Sequence, residues 1–173
     1  MALENTQIQD KVTATFGESV VNFRQEKDIF TFEVVSDKIT SVILFLKNEE
    51  SLNFHFLTDL CGIHYPDSNA NEQFAVVYHL HNWIENKRIR IKCFINGENP
   101  EIKTVSNIFL CANLMERETY DFFGINFIGH PQLKRILNMD EMISYPMRKE
   151  FPMEDTGRTD KDDRFFGRTT NNG

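Results

Sequence analysis

RIRIKCFI, residues 88–95, is the stretch on which the fold turns. Ile89, Ile91, Cys93 and Ile95 alternate with Arg88, Arg90 and Lys92. Alternation of period two puts the apolar set on one face of a β-strand and the cations on the other. A strand that buries one face needs sheet neighbours and a layer packed against them. EQFAVVYHLHN (72–82), just upstream across a polar turn region, reads as its neighbouring strand. SVVNFR (19–24) and DIFTFEVV (28–35), separated by the polar QEK, read as a second hairpin.

The packed layer is read from helical spacing. In DKITSVILFLKN (37–48), Ile39, Val42, Ile43 and Leu46 recur on one helical face, with Ser36 or Asp37 as N-cap. Residues 3–16 give a first helix, with Leu3, Ile8, Val12 and Phe16 loosely on one side and Gly17 as its stop. A third helix is expected from about Val105 to Phe122, its stripe being Val105, Ile108, Phe109, Ala112 and Met115. Thr104 or Ser106 caps its start, and Gly124 is its C′ residue. LNFHFLTDLCGIHY (52–65) reads as part helix and part strand. The order predicts an α+β fold, a mainly antiparallel sheet with helices packed on it.

After Gly124 the character changes. Three of the five Pro and four of the six Met fall beyond it, without sustained period. Residues 154–173 contain two large apolar side chains, Phe165 and Phe166. Such a segment cannot offset its own ordering entropy, so it is disordered or lies along another protein. The expected organisation is an α/β domain over 1–124 and an extended, partner-wrapping tail over 125–173. Met147, Phe151, Met153, Phe165 and Phe166 are its spaced anchors. The tail is expected to order only on its partner.

Composition narrows the function classes. No stretch approaches the roughly 20 apolar residues of a spanning helix. MALENTQIQDKV shows neither a secretory nor an organellar leader pattern. The chain is therefore expected to be cytosolic, or bound to a membrane only through partners. The net charge of −7 resides wholly in residues 1–124, with 11 Lys/Arg against 18 Asp/Glu; residues 125–173 balance at 8 and 8. That distribution disfavours nucleic acid and anionic lipid as direct partners. Cys61, Cys93 and Cys111 are odd in number and lack the close spacing of a cluster-binding set. There is no G-x-G-x-x-G and no nucleophile elbow.

The chemistry-bearing residues concentrate in ERETYDFFGINFIGHPQLKRIL (116–137). On a helix, Arg117 and Asp121 are four apart and pair. Glu116 shares the apolar side with Ala112 and Met115, so it needs a cation or donors; Arg135 and Arg148 are its candidates. FGINFIGHP then directs the chain away from the domain as an extended strand or turn.

This stretch, followed by PMRKEFP (146–152), closely resembles the signature of the 30-kDa subunit family of respiratory complex I, the NADH-quinone oxidoreductase, whose bacterial members are its C-type subunits. The matching positions are Glu116, Arg117, Glu118, Asp121, Phe123, Gly124, Phe127, Gly129, His130, Pro131, Leu133, Arg135 and Leu137, then Pro146, Arg148, Lys149, Phe151 and Pro152. VSNIFLCANLMERE (105–118) resembles the helix that precedes the signature, departing at Leu114, where the family commonly has Trp. The resemblance implies an accessory structural subunit in the peripheral arm of proton-translocating NADH:quinone oxidoreductase. It implies no catalytic residue, no metal and no cofactor in this chain; FMN, iron–sulfur clusters and quinone belong to partner subunits. The implied partners are the quinone-pocket (49-kDa-type) subunit, over which the tail wraps, and other members of the peripheral arm. The implied location is the cytoplasmic face of the bacterial inner membrane. Related proteins occur in membrane-bound hydrogenase complexes, which leaves the electron donor open.

Two readings from other classes stand beside it. Cys61-x-x-His64 with His79 and His81 is a donor set that zinc accepts. Glu116, Glu118, Asp121 and His130 could form an acid–base site.

Overall fold

The computed structural model describes residues 3–151. In chain order the elements are α1 (Asn5–Phe16), β1 (Val20–Glu26), β2 (Ile29–Val34), α2 (Ile39–Asn48), β3 (Phe56–His64), β4 (Phe74–Asn82), β5 (Lys87–Ile95), β6 (Glu101–Lys103), α3 (Ala112–Phe123) and β7 (Asn126–Ile128). Five strands form one sheet in the order β1-β2-β5-β4-β3. Its pairings are antiparallel except β2 with β5, which run parallel. Both expected hairpins are present, and the chain is an α+β protein.

The alternation of 88–95 survives intact. Ile89 and Ile91 pair with Phe30 and Phe32 on β2, and Ile91 and Cys93 with Tyr78 and Val76 on β4. These side chains line one face and are buried together with Ile8 and Val12 of α1, the Ile39–Leu46 stripe of α2, and Ala112 of α3. Each fully buried Ile, Leu or Phe contributes about 1.5–3 kcal/mol of transfer free energy. The other face carries the charges: Arg24, Lys92 and Arg90 converge on Glu26 at 2.7, 3.0 and 3.1 Å.

Four local expectations need correction. Residues 52–65 contain no helix; Phe56–His64 is strand throughout. Its β4 neighbour supplies a nine-residue partner, which overrides weak local helix preference. α2 begins at Ile39 after a 3₁₀ turn over Ser36–Lys38, without a side-chain cap from Ser36 or Asp37. α3 starts at Ala112 rather than near Val105; over 104–111 the chain makes turns, with Thr104 Oγ1 accepting Ser106 N–H and donating to Glu116. Finally, the stretch after Gly124 does not lead away at once. Residues 126–128 form β7, parallel to β6, and Ile125 and Phe127 join the core.

Gly62 sets the approach of α3 to the sheet. A Cβ there would stand 2.8 Å from Phe123 and 2.9 Å from Thr119. Gly62→Ala is expected to destabilise the fold by about 1–3 kcal/mol through overpacking. Thermal melting checks this; an unchanged midpoint would mean that α3 slides to accommodate the methyl.

Candidate functional site

α3 presents its two critical carboxylates inward, both in residues with no solvent exposure: Glu116 and Asp121. Gly124 ends the helix in the left-handed region (φ 72°), its N–H bonding Tyr120 O at 2.8 Å, as the C′ reading required. The chain then passes through β7 and returns along the end of α3.

Asp121 clasps that return. Its Oδ2 accepts the backbone N–H groups of Ile136, Leu137 and Asn138 at 3.0, 2.8 and 2.9 Å. Its Oδ1 accepts from the Arg135 guanidinium at 2.7 Å and the Asn138 side-chain amide at 3.1 Å. Arg135 also donates to the carbonyls of Asp121, Met142 and Ser144. Burial alone would raise the Asp121 pKa. The N–H groups of Asn138, Leu137 and Ile136 and the Arg135 guanidinium outweigh it and hold the carboxyl well below the usual range. Arg117 does not pair with Asp121; it donates to the carbonyls of Lys134 and Arg135 at 3.1 and 3.0 Å.

Farther along, Arg148 donates to Phe123 O at 2.7 Å and lies over the rings of Phe74 and Tyr145. Lys149 N–H donates to His64 Nδ1 at 3.0 Å, and Met147 N–H to Phe122 O at 3.2 Å. A Cβ at Gly124 would strike Tyr145 and Arg148 at 2.5–2.7 Å, so glycine is needed there for space as well as for φ. The backbone N–H groups of 136–138 and the guanidinium groups of Arg135 and Arg148 thus turn inward onto the domain, while Lys134, Asp140, Glu141 and Lys149 stay exposed. Leu137, Met139, Ile143 and Met147 are 65%, 73%, 97% and 53% exposed. Pro152, Met153, Phe165 and Phe166 lie outside the described residues.

Glu116 is held differently. Neither Arg135 nor Arg148 reaches it. Its Oε1 accepts Val105 N–H at 2.7 Å, and its Oε2 accepts the Thr104 hydroxyl. The buried His130 ring stands 3.9 Å away. His130 Nδ1 accepts Gln132 N–H at 3.0 Å, which assigns the ring proton to Nε2, facing Asn113 O at 3.1 Å. Burial pushes the Glu116 pKa up to about 7, against the opposing bonds from Thr104 and Val105.

The remaining sequence-selected residues do not converge. His64 packs flat on Phe74 on the helix-covered face, whereas Cys61 alternates to the other face. His79 accepts from Arg90 Nε at 2.9 Å, and His81 lies beside Asn86. Among the described residues no three His, Cys, Asp or Glu side chains are placed to hold a metal ion. Glu118 is exposed beside Cys61 and Met147, away from Asp121's clasp, so the four-residue acid–base set is not assembled. Pro131 and Gly129 shape the turn that carries His130; Gly129 has φ 83°. Sequence reasoning singled out Thr104 only as a cap and missed Asn138 and Tyr145, whose roles arise only when the chain returns.

An α+β domain with a carboxylate-clasped return segment at the end of its last helix is the class that fold and site define. The chain belongs to the family described as respiratory-chain NADH dehydrogenase, 30 Kd subunit, whose profile matches residues 32–157. The second C-type subunit of NADH-quinone oxidoreductase from Rhizobium meliloti (strain 1021) is 39% identical over 143 residues, covering 82% of this chain and 76% of the relative. The C-type subunit of NADH-quinone oxidoreductase from Roseiflexus sp. (strain RS-1) is 33% identical over 168 residues, covering 96% and 95%. Among solved structures, a trypsin-resistant fragment (1–134) of Nqo5 is similar with a TM-score of 0.59 at 28% identity, over 74% of this chain and 98% of the fragment. A chain of a membrane-bound sulfane sulfur reductase, an archaeal respiratory membrane complex, shares the fold with a TM-score of 0.72 at 24% identity, over 86% and 85%. Among the described residues no helix is long and apolar enough to cross a membrane.

Proposed function

We propose that the chain is an accessory structural subunit in the peripheral arm of a proton-translocating NADH:quinone oxidoreductase. It supports electron transfer from NADH to quinone without a redox centre of its own. The carrying observation is the segment over 133–149, held at Asp121 through Arg135 and the N–H groups of 136–138, with Leu137, Met139, Ile143 and Met147 turned outward. On this reading that segment, and the chain beyond it, covers the neighbouring quinone-pocket subunit. Attachment to the cytoplasmic face of the inner membrane then runs through partners alone. The donor set supports the absence of a cluster: Cys93 is buried in the core, Cys61 sits on β3, and Cys111 precedes α3, so they share no site. FMN, iron–sulfur clusters and quinone fall to the partners.

Affinity capture of the tagged chain from solubilised membranes, with mass spectrometry, tests the reading. Co-purification of flavin- and iron–sulfur-bearing subunits is expected. Recovery of nickel–iron subunits instead would move the chain to the hydrogenase-type assembly, and recovery of neither would overturn membership in an assembly. The purified chain is further expected to show no visible absorption; a band that survives desalting would overturn the assignment of all redox centres to partners.

A further inference from the structure

The β4–β5 turn lies at the end of the sheet opposite the clasped segment. It carries the chain's single Trp. Trp83 is 61% exposed, Ile84 is 76% exposed, and Phe56 of β3 is 41% exposed. The Phe56 and Trp83 rings meet edge to face at 5.1 Å. With Ile84 next to Trp83 in the turn, three large apolar groups are exposed at the tip.

One side chain braces the tip. Asn82 is 3% exposed. Its Oδ1 accepts the N–H groups of Ile84 and Glu85 at 2.9 and 3.1 Å, and its Nδ2 donates to Leu52 O at 2.8 Å. Asn86 takes the positive φ (47°) that closes the turn. A buried amide is thus used to hold an apolar pair in water, which costs solubility and returns nothing to the domain's own core. Rigid display of Trp is the arrangement found in interface anchors, because little side-chain freedom is lost on docking.

We propose that Trp83, Ile84 and Phe56 form a second anchor, seated in an apolar pocket of a neighbouring, different subunit. This rests on the assembly reading above. Three partly exposed side chains of this size offer on the order of 300–400 Å², well short of the roughly 800 Å² per partner of a stable pairwise interface. A self-pairing dimer therefore cannot rest on the patch, and two chains of net charge −7 repel. The turn has Glu85 beside Lys87 and Arg88, two cations against the roughly four to eight that draw a chain to anionic lipid. A small anchor works when another contact shares the load. The clasped segment meets His64 at the far end of β3, whose opposite end is Phe56, roughly 26 Å away at about 3.3 Å per residue. Two contacts that far apart on one rigid sheet fix orientation as well as position.

The test is a Trp83→Ser/Ile84→Ser double variant, introduced into the full chain and assembled with its partner subunits. The free variant should melt with the wild type, since both side chains are largely in water. Its dissociation from the complex should be at least about tenfold faster. Wild-type yield and dissociation in the variant would overturn the proposal. So would a wild-type dimer that the variant dissolves, or wild-type sedimentation with anionic vesicles. A readout without substitution uses the wild-type chain labelled with 5-fluorotryptophan. Its single ¹⁹F signal should lose its solvent isotope shift on assembly; an unchanged shift overturns the anchor. If the wild-type chain co-purifies with neither flavin- and iron–sulfur-bearing nor nickel–iron subunits, the assembly reading itself has failed and takes the anchor with it. If only the variant comparison is flat, the functional reading stands and the anchor alone falls.

Discussion

Asp121→Ala is expected to lower the stability of the free chain by about 3–5 kcal/mol, read from urea unfolding. The substitution leaves the Arg135 guanidinium, whose side chain is 8% exposed, without its carboxylate. It also strips the acceptor from the N–H groups of Ile136, Leu137 and Asn138. A buried donor without a partner costs about 1–3 kcal/mol, and admitted water recovers part of that, so the losses do not simply add. The amides of 136–138 should be protected from hydrogen exchange in the free wild-type chain and should exchange rapidly in the variant. The pH dependence follows from a depressed folded-state pKa. The stabilisation is present above the ordinary aspartate range and is lost as pH falls below it toward the depressed folded-state pKa, and the variant should lack that acid-side loss. A cost below about 1 kcal/mol would mean that the clasp behaves as a surface pair. It would also support the expectation that the segment after Gly124 orders only on its partner.

Glu116→Gln is expected to act in the opposite direction. The folded-state pKa of Glu116 is raised to about 7 from the ordinary 4.5. The folded state therefore holds the proton more tightly. Stability from this group is fully present below pH about 4.5, falls as pH rises to about 7, and is flat above. At about 1.4 kcal/mol per unit the fall is on the order of 3 kcal/mol. Glutamine keeps an oxygen for Val105 N–H and carries no charge. The variant should therefore be more stable than the wild type at pH about 8 by on the order of 1–3 kcal/mol, with parity near pH about 5. Urea midpoints at the two pH values decide it. His64 and His79, both lowered by burial, work the opposite way over part of this interval, so the comparison is between the slopes of variant and wild type. Equal slopes would show that Glu116 does not titrate there.

The periodic parts of this protein are written in its sequence. Residues 88–95, the two hairpins, the stripe of α2 and the Gly124 stop were all legible, because a strand or helix that buries one face must repeat at 2 or 3.6 residues. The cluster of charged residues and glycines over 116–137 was legible as the place where chemistry concentrates, and the burial of Glu116 followed from its neighbours Ala112 and Met115. How distant segments meet came from the three-dimensional arrangement alone. That β5 inserts beside β2, in parallel, depends on a pairing across about 60 residues, which no local period encodes. Arg117 and Asp121 stand at pairing distance on a helix, yet Asp121 takes Arg135 and three backbone N–H groups instead. A buried carboxylate gains more from donors that cannot reach water than from a flexible neighbour half in solvent. The same rule gave Glu116 the Thr104 hydroxyl and the Val105 N–H, neither of which carries a charge that a reading of the sequence would have matched to it.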